Sequence, residues 1–195
     1  DTAVDSMTHA IEAYVSRKAF AYTDAFALAA MSAIAKHVRT ACNAPDDAEA
    51  RAALMLAASQ AGMAFSNASV ALVHGMSRPI GAHFHVAHGL SNAMLLPAVT
   101  EFSIGAAPVR YATCARVMGW ADDTDVDTLA CEKLVQQLKI LNADLKVPRV
   151  SELGHTATQE KLELMASQAL ASGSPQNNPR IPTTEDIVGL YQQVW

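Results

Sequence analysis

Three cysteines in 195 residues, Cys42, Cys114 and Cys131, are odd in number and widely spaced. They exclude a disulfide framework and point to a reducing compartment, so a cytoplasmic location is expected. Charge is also sparse: 17% of residues are Asp, Glu, Lys or Arg, the net charge is −5, and no basic cluster interrupts the chain. That speaks against nucleic acid as a partner. No apolar run reaches membrane-spanning length and no signal peptide is visible, so no membrane partner is expected. Period-two alternation and Gly-rich turns after strands are missing too, which leaves little room for a sheet.

What is present is a hydrophobic content of 51%, rich in alanine. That composition describes a globular chain with a sizeable core. The expected architecture is all-α, one multi-helix domain over residues 1–195. Helices are expected over 5–18, from Thr23 or Asp24 (either able to cap) to about Thr40, from about 48 to 69, and from Gly89 onward with Pro97 bending it. Further helices are expected over 108–118, ended by Gly119, then over 124–142, 158–171 and from Thr183 to Trp195. Pro79-Ile80-Gly81 reads as a break after His74. Small residues on nearly every face of 48–69 mark it as the central helix. Met55, Met63 and Met76 fall at core spacing.

Four of the seven histidines, His74, His83, His85 and His88, lie in one stretch, SVALVHGMSRPIGAHFHVAHGLSNAMLLP. Any one of them alone reads more readily as a core histidine bonded to a carbonyl. The first residues change the balance. In DTAVDSMTHAIEAY, Asp5 and His9 are four apart and share a helix face. Asp5, His9, His74 and His88 together make a plausible shell for a divalent transition metal. A closed structural zinc site would more often use thiolates, and none of the cysteines stands at ligand spacing. Two other readings compete: a non-catalytic helical module that keeps metal binding or dimerisation, and a metal-dependent hydrolase on a helical scaffold. The hydrolase would favour adjacent His-Asp pairs, and the sequence has none.

DSMTHAIEAY, then AGMAFSNASVALVHGMSRPIGAHFHVAHGLSNAMLLP, and finally NNPRIPTTEDIVGLYQQVW resemble the C-terminal half of the iron-containing (group III) alcohol dehydrogenases. The resemblance covers essentially the whole chain. It implies a two-domain enzyme whose N-terminal α/β half binds NAD(P) and whose helical half carries the metal. The metal ligands implied fall on Asp5, His9, His74 and His88, with Fe(II) typical and Zn(II) possible. The implied reaction is Lewis-acid-assisted hydride transfer between NAD(P) and a small alcohol or aldehyde. A homo-oligomer, a dimer in the first instance, is expected. The first residue is Asp and opens inside a motif, so the sequence reads as a piece of a longer protein, and turnover by this chain alone is not expected.

Phe65 and Ser174 match positions of the family's substrate pocket. Arg78 replaces a histidine often proposed as a proton shuttle; arginine does not exchange protons near neutral pH. Arg78 could clamp a carboxylate or phosphate on the substrate, or equally sit in a salt bridge or reach another domain. Ala87 stands where a proline often precedes His88. Glu12 could orient a ligand or face an arginine. His83 and His85 read as cleft-facing, and His37 and His155 as surface residues.

Overall fold

The computed structural model describes residues 2–195, and among these no strand occurs. The helices are α1 Thr2–Val15, α2 Ala21–Asn43, α3 Ala48–Ala68, α4 Leu72–Phe84, α5 His88–Ser103, α6 Pro108–Val117, α7 Asp127–Asp144, α8 Gln159–Ala171 and α9 Thr184–Val194. Short 3₁₀ turns follow α5 and precede α8 and α9. The all-helical expectation holds, and most boundaries fall within two or three residues of those expected.

The caps explain several boundaries. Asp47 accepts a hydrogen bond from the Ala50 amide and starts α3. Thr183 and Asp186 form a reciprocal capping box at α9. Pro108 occupies the first turn of α6, where its missing N–H costs no helical bond. α2 begins earlier than expected: its N-cap is Phe20, and Thr23 reaches back to the Phe20 amide from inside the helix.

The central helix is α1, not α3. Val4, Met7, Ala10, Ile11, Ala13 and Tyr14 are all buried, and α1 meets α2, α3 and α5. In α3, Ala57, Ala61, Ala64 and Ala68 form one buried stripe that lets its neighbours approach closely. The opposite face carries Met55 and Met63, 71% and 46% exposed, so only Met76 of the three methionines belongs to the core. Alanine has the same helix propensity inside and outside, so composition does not tell a one-faced helix from a buried one.

The expected break at Pro79 does not occur. Pro79 lies buried within α4, which runs on to Phe84. The Tyr191 hydroxyl of α9 donates to the Met76 carbonyl at 2.7 Å, beside the Gly75 carbonyl that Pro79 leaves without its helical donor. The true break is earlier: α3 and α4 meet at 104° across Ser69-Val70-Ala71, with Ser69 at φ 66°. The loop after α8 closes over this corner. Asn177 donates to Ser69 Oγ and the Val70 carbonyl, both at 3.0 Å, and Asn178 donates to Ser103 Oγ of α5 at 2.9 Å. α1, α4 and α5 thereby converge at one end.

Candidate metal centre

α1 contributes Asp5, His9 and Glu12 to this end, α4 contributes His74 near its N-terminus, and α5 contributes His88 and Asn92 from its first turns. The Asp5 Oδ1 atom is the hub. It lies 3.6 Å from His9 Nδ1, 3.6 Å from His74 Nε2 and 3.7 Å from His88 Nε2. Donor atoms of Asp5, His74 and His88 all fall within 4.8 Å of one another. A tetrahedral ion with bonds of 2.0–2.2 Å spaces its donors by about 3.3–3.6 Å, so the carboxylate–imidazole separations suit a transition-metal ion. His74 is buried, Asp5 half-buried and His88 exposed, which leaves the cluster open to solvent on the His88 side. Three or four oxygen and nitrogen donors with an open side form the pattern of a catalytic rather than a structural site.

His9 brings a further nitrogen to the Asp5 carboxylate, Nδ1 at 3.6 Å. Its ring stacks on Phe65 with centroids 4.2 Å apart and planes at 25°, and its other neighbour is His74, also at 4.2 Å. Phe65 therefore touches the centre through His9.

Glu12 resolves the choice left open by the sequence: it orients a histidine and, among the described residues, meets no arginine. Its carboxylate accepts from His74 Nδ1 at 2.6 Å and from the backbone amides of Ala71 and Val73 at 2.9 and 2.5 Å. Ala71, the N-cap of α4, has no side-chain cap of its own. One buried carboxylate from α1 thus caps α4 and aims His74 Nε2 at Asp5. On α1, Glu12 lies seven residues past Asp5, two helical turns along the same face.

Electrostatics follow from these contacts. Burial would push the Asp5 carboxyl up, but the nearby His74 and His9 and the hydrogen bond from the Asn92 amide outweigh it and hold it at about 2. Burial and the neighbouring His74 push His9 down to about 4. Burial alone would lower His74, yet the Glu12 charge, the nearby Asp5 carboxylate and the hydrogen bond with Glu12 raise it to about 9. Burial also lowers His88. Without a cation, then, His74 holds a proton while His9 and His88 present lone pairs.

The remaining expected residues divide. Arg78 lies one turn beyond His74 on α4 and its side chain is exposed; its Nη1 donates to Ser174 Oγ at 2.9 Å. No carboxylate pairs with Arg78 among the described residues. Ser174 is buried in the loop after α8, and its neighbour Pro175 seats directly on Gly75, where a Cβ would meet Pro175 at 2.8 Å. His83 faces Gln168 of α8 at 2.7 Å, and His85 ends α4 in the left-handed conformation; neither joins the centre. His155 and His37 are partly exposed. Nothing in the sequence alone marks Asn92 as part of the centre except its spacing. It lies four residues after His88, the same spacing as Asp5 to His9.

The chain matches a sequence model described as Fe-containing alcohol dehydrogenase family, C-terminal, over residues 1–195. It is 35% identical over 196 residues to 1,3-propanediol dehydrogenase of Klebsiella pneumoniae, covering 100% of this chain and 50% of the relative. It is 37% identical over 199 residues to lactaldehyde reductase of Escherichia coli (strain K12), with the same two coverages. Among solved structures it superposes on a 1,3-propanediol oxidoreductase with a TM-score of 0.94 at 33% identity, covering 99% of this chain and 50% of that one. An alcohol dehydrogenase from Oenococcus oeni gives a TM-score of 0.93 at 34% identity, with the same coverages. The chain spans about half the length of these relatives, and it belongs to the Fe-containing alcohol dehydrogenase family as that family's helical C-terminal part.

Proposed function

We propose that this chain is the metal-carrying half of an NAD(P)-dependent alcohol dehydrogenase or aldehyde reductase. Asp5, His9, His74 and His88 would hold Fe(II), with Zn(II) as the alternative, since an N₃O donor set accepts both. The carrying observation is the convergence of Asp5 Oδ1, His74 Nε2 and His88 Nε2 from the distant helix α1 and the consecutive helices α4 and α5. When bound, the cation supplies a Lewis acid that polarises the alcohol or carbonyl oxygen for hydride transfer.

The chain's own residues do the rest. Asp5 contributes the negative charge, and the imidazoles contribute lone pairs in a direction set by Glu12 and by the stacking of Phe65 on His9. His74 must give up its proton before its Nε2 can ligate, so cation binding is coupled to proton release. Phe65, Arg78 and Ser174 line the substrate side in this reading. Arg78, held through one nitrogen by Ser174, keeps guanidinium N–H groups for a carboxylate or phosphate on the small alcohol or aldehyde. NAD(P) would be held mainly by a separate nucleotide-binding domain, so the isolated chain is expected to bind metal without turning over.

Elemental analysis of the purified chain, beside a His74→Ala variant, tests this reading. About one equivalent of iron or zinc, lost in the variant, is the expected result. No metal in either protein after anaerobic loading with Fe(II) or Zn(II) would overturn it.

A further inference from the structure

Asn92 is fully buried, yet among the described residues its Oδ1 has no hydrogen-bond partner. The amide earns its place wholly through Nδ2, which lies 2.6 Å from Asp5 Oδ1, 3.1 Å from His88 Nε2 and 3.2 Å from His74 Nε2. The amide orientation is dictated by Asp5: turned over, Asn92 Oδ1 would face a carboxylate oxygen at hydrogen-bond distance. An amide nitrogen has two hydrogens to give. Asp5 and His88 are the two nearest acceptors, at 2.6 and 3.1 Å, with His74 Nε2 slightly farther off.

We propose that Asn92 is a positioning residue that bridges Asp5 to His88 in the ion-free chain and releases His88 when a cation binds. The reason lies in the lone pairs. A carboxylate oxygen has more than one and can accept from Asn92 while it binds an ion. An imidazole Nε2 has one, so His88 serves either Asn92 or the cation. Without an ion, the amide keeps two lone-pair groups from repelling each other at the mouth of the site. Asn92 thus holds the two outer walls of the centre, half-buried Asp5 and exposed His88, close to the spacing that an ion requires.

This inference rests on the metal-centre reading, and one experiment separates the two. Thermal unfolding of the chain is followed in chelator and in saturating Zn(II) for the unchanged sequence, Asn92→Leu and Asn92→Asp. Asn92→Leu keeps the volume and removes both N–H groups. In chelator it should unfold roughly 5 °C lower, as expected for lost buried hydrogen bonds to a charged partner in a domain this size. Zinc should restore a large part of that loss, so the zinc-induced rise exceeds that of the unchanged chain. Asn92→Asp places a second carboxylate beside Asp5; it should fall furthest in chelator and gain most from zinc, and it carries the test if Asn92→Leu does not fold. A purely structural Asn92 would lower both states equally and leave the zinc-induced rise unchanged, which overturns the proposal. A smaller rise in the variants also overturns it, since Asn92 would then act in the loaded state. No zinc-induced rise in the unchanged chain would instead defeat the metal-centre reading and this inference with it.

Discussion

At the scale of single residues, the most consequential side chain outside the ligand set is Glu12. It accepts from His74 Nδ1 and from two backbone amides at the start of α4, so it couples helix capping to ligand aim. Glu12→Gln keeps the shape and loses the charge. Its zinc affinity, measured by competition with a chromophoric chelator, is expected to fall roughly 10- to 100-fold, the usual effect of removing a carboxylate behind a ligating histidine. Thermal stability should fall as well, because a buried carboxylate bonded to amides is replaced by a neutral group. An unchanged affinity in a folded variant would mean that Glu12 serves α4 alone.

At the scale of elements, the site depends on how closely the loop after α8 can seat on α4. Gly75 makes this possible: a Cβ there would stand 2.8 and 2.9 Å from Pro175 Cγ and Cδ, and a proline ring cannot swing aside as a flexible chain end can. Gly75→Ala should displace the loop, separate Ser174 from Arg78 and destabilise the fold by about 1–3 kcal/mol, the range for overpacking. Denaturant unfolding reads the stability, and amide exchange at residues 172–178 reads the loop; wild-type values for both would contradict the role given to Gly75. The same element-level view explains the histidine-glycine pair: the sequence shows His74-Gly75, but only the docked loop shows why the second residue is glycine.

At the scale of the whole molecule, α1 and α4 bring together Asp5, His9 and His74, whose linked protonation should shape stability in the absence of metal. His74 is raised to about 9, so its contribution is complete below its unfolded value near 6.5 and is lost as pH rises through about 9. His9 is lowered to about 4, so the unfolded chain binds the proton first, and stability is lost as pH falls from about 6.5 toward 4. Asp5, held at about 2, adds a further loss on the acid side below its ordinary value of 3.8. The melting temperature in chelator should therefore fall by several degrees on both sides of a maximum near pH 6–7. Saturating zinc should flatten the alkaline flank, because the ion replaces the proton on His74. A profile in chelator that is level from pH 5 to 9 would show that these groups are not coupled as the geometry implies.

Much of the candidate site was legible in the sequence because its signals are local. Asp5 and His9 are one helical turn apart, His74 and His88 sit in a histidine-rich stretch, and the caps at Asp47 and Thr183 announce their helices. What the sequence by itself determined was the all-helical class, most helix limits and the identity of the four candidate ligands, since propensity, capping and periodicity act over a few residues. Tertiary structure alone decided that α1 is the central helix, that α3 buries only one alanine stripe, that Pro79 sits inside an unbroken α4, and that Glu12 and Asn92 serve His74, Asp5 and His88. Each of these depends on contacts between residues up to 115 positions apart, such as Tyr191 with Met76. The burial and partners of a side chain are properties of the assembled helices, which no local window of the chain contains.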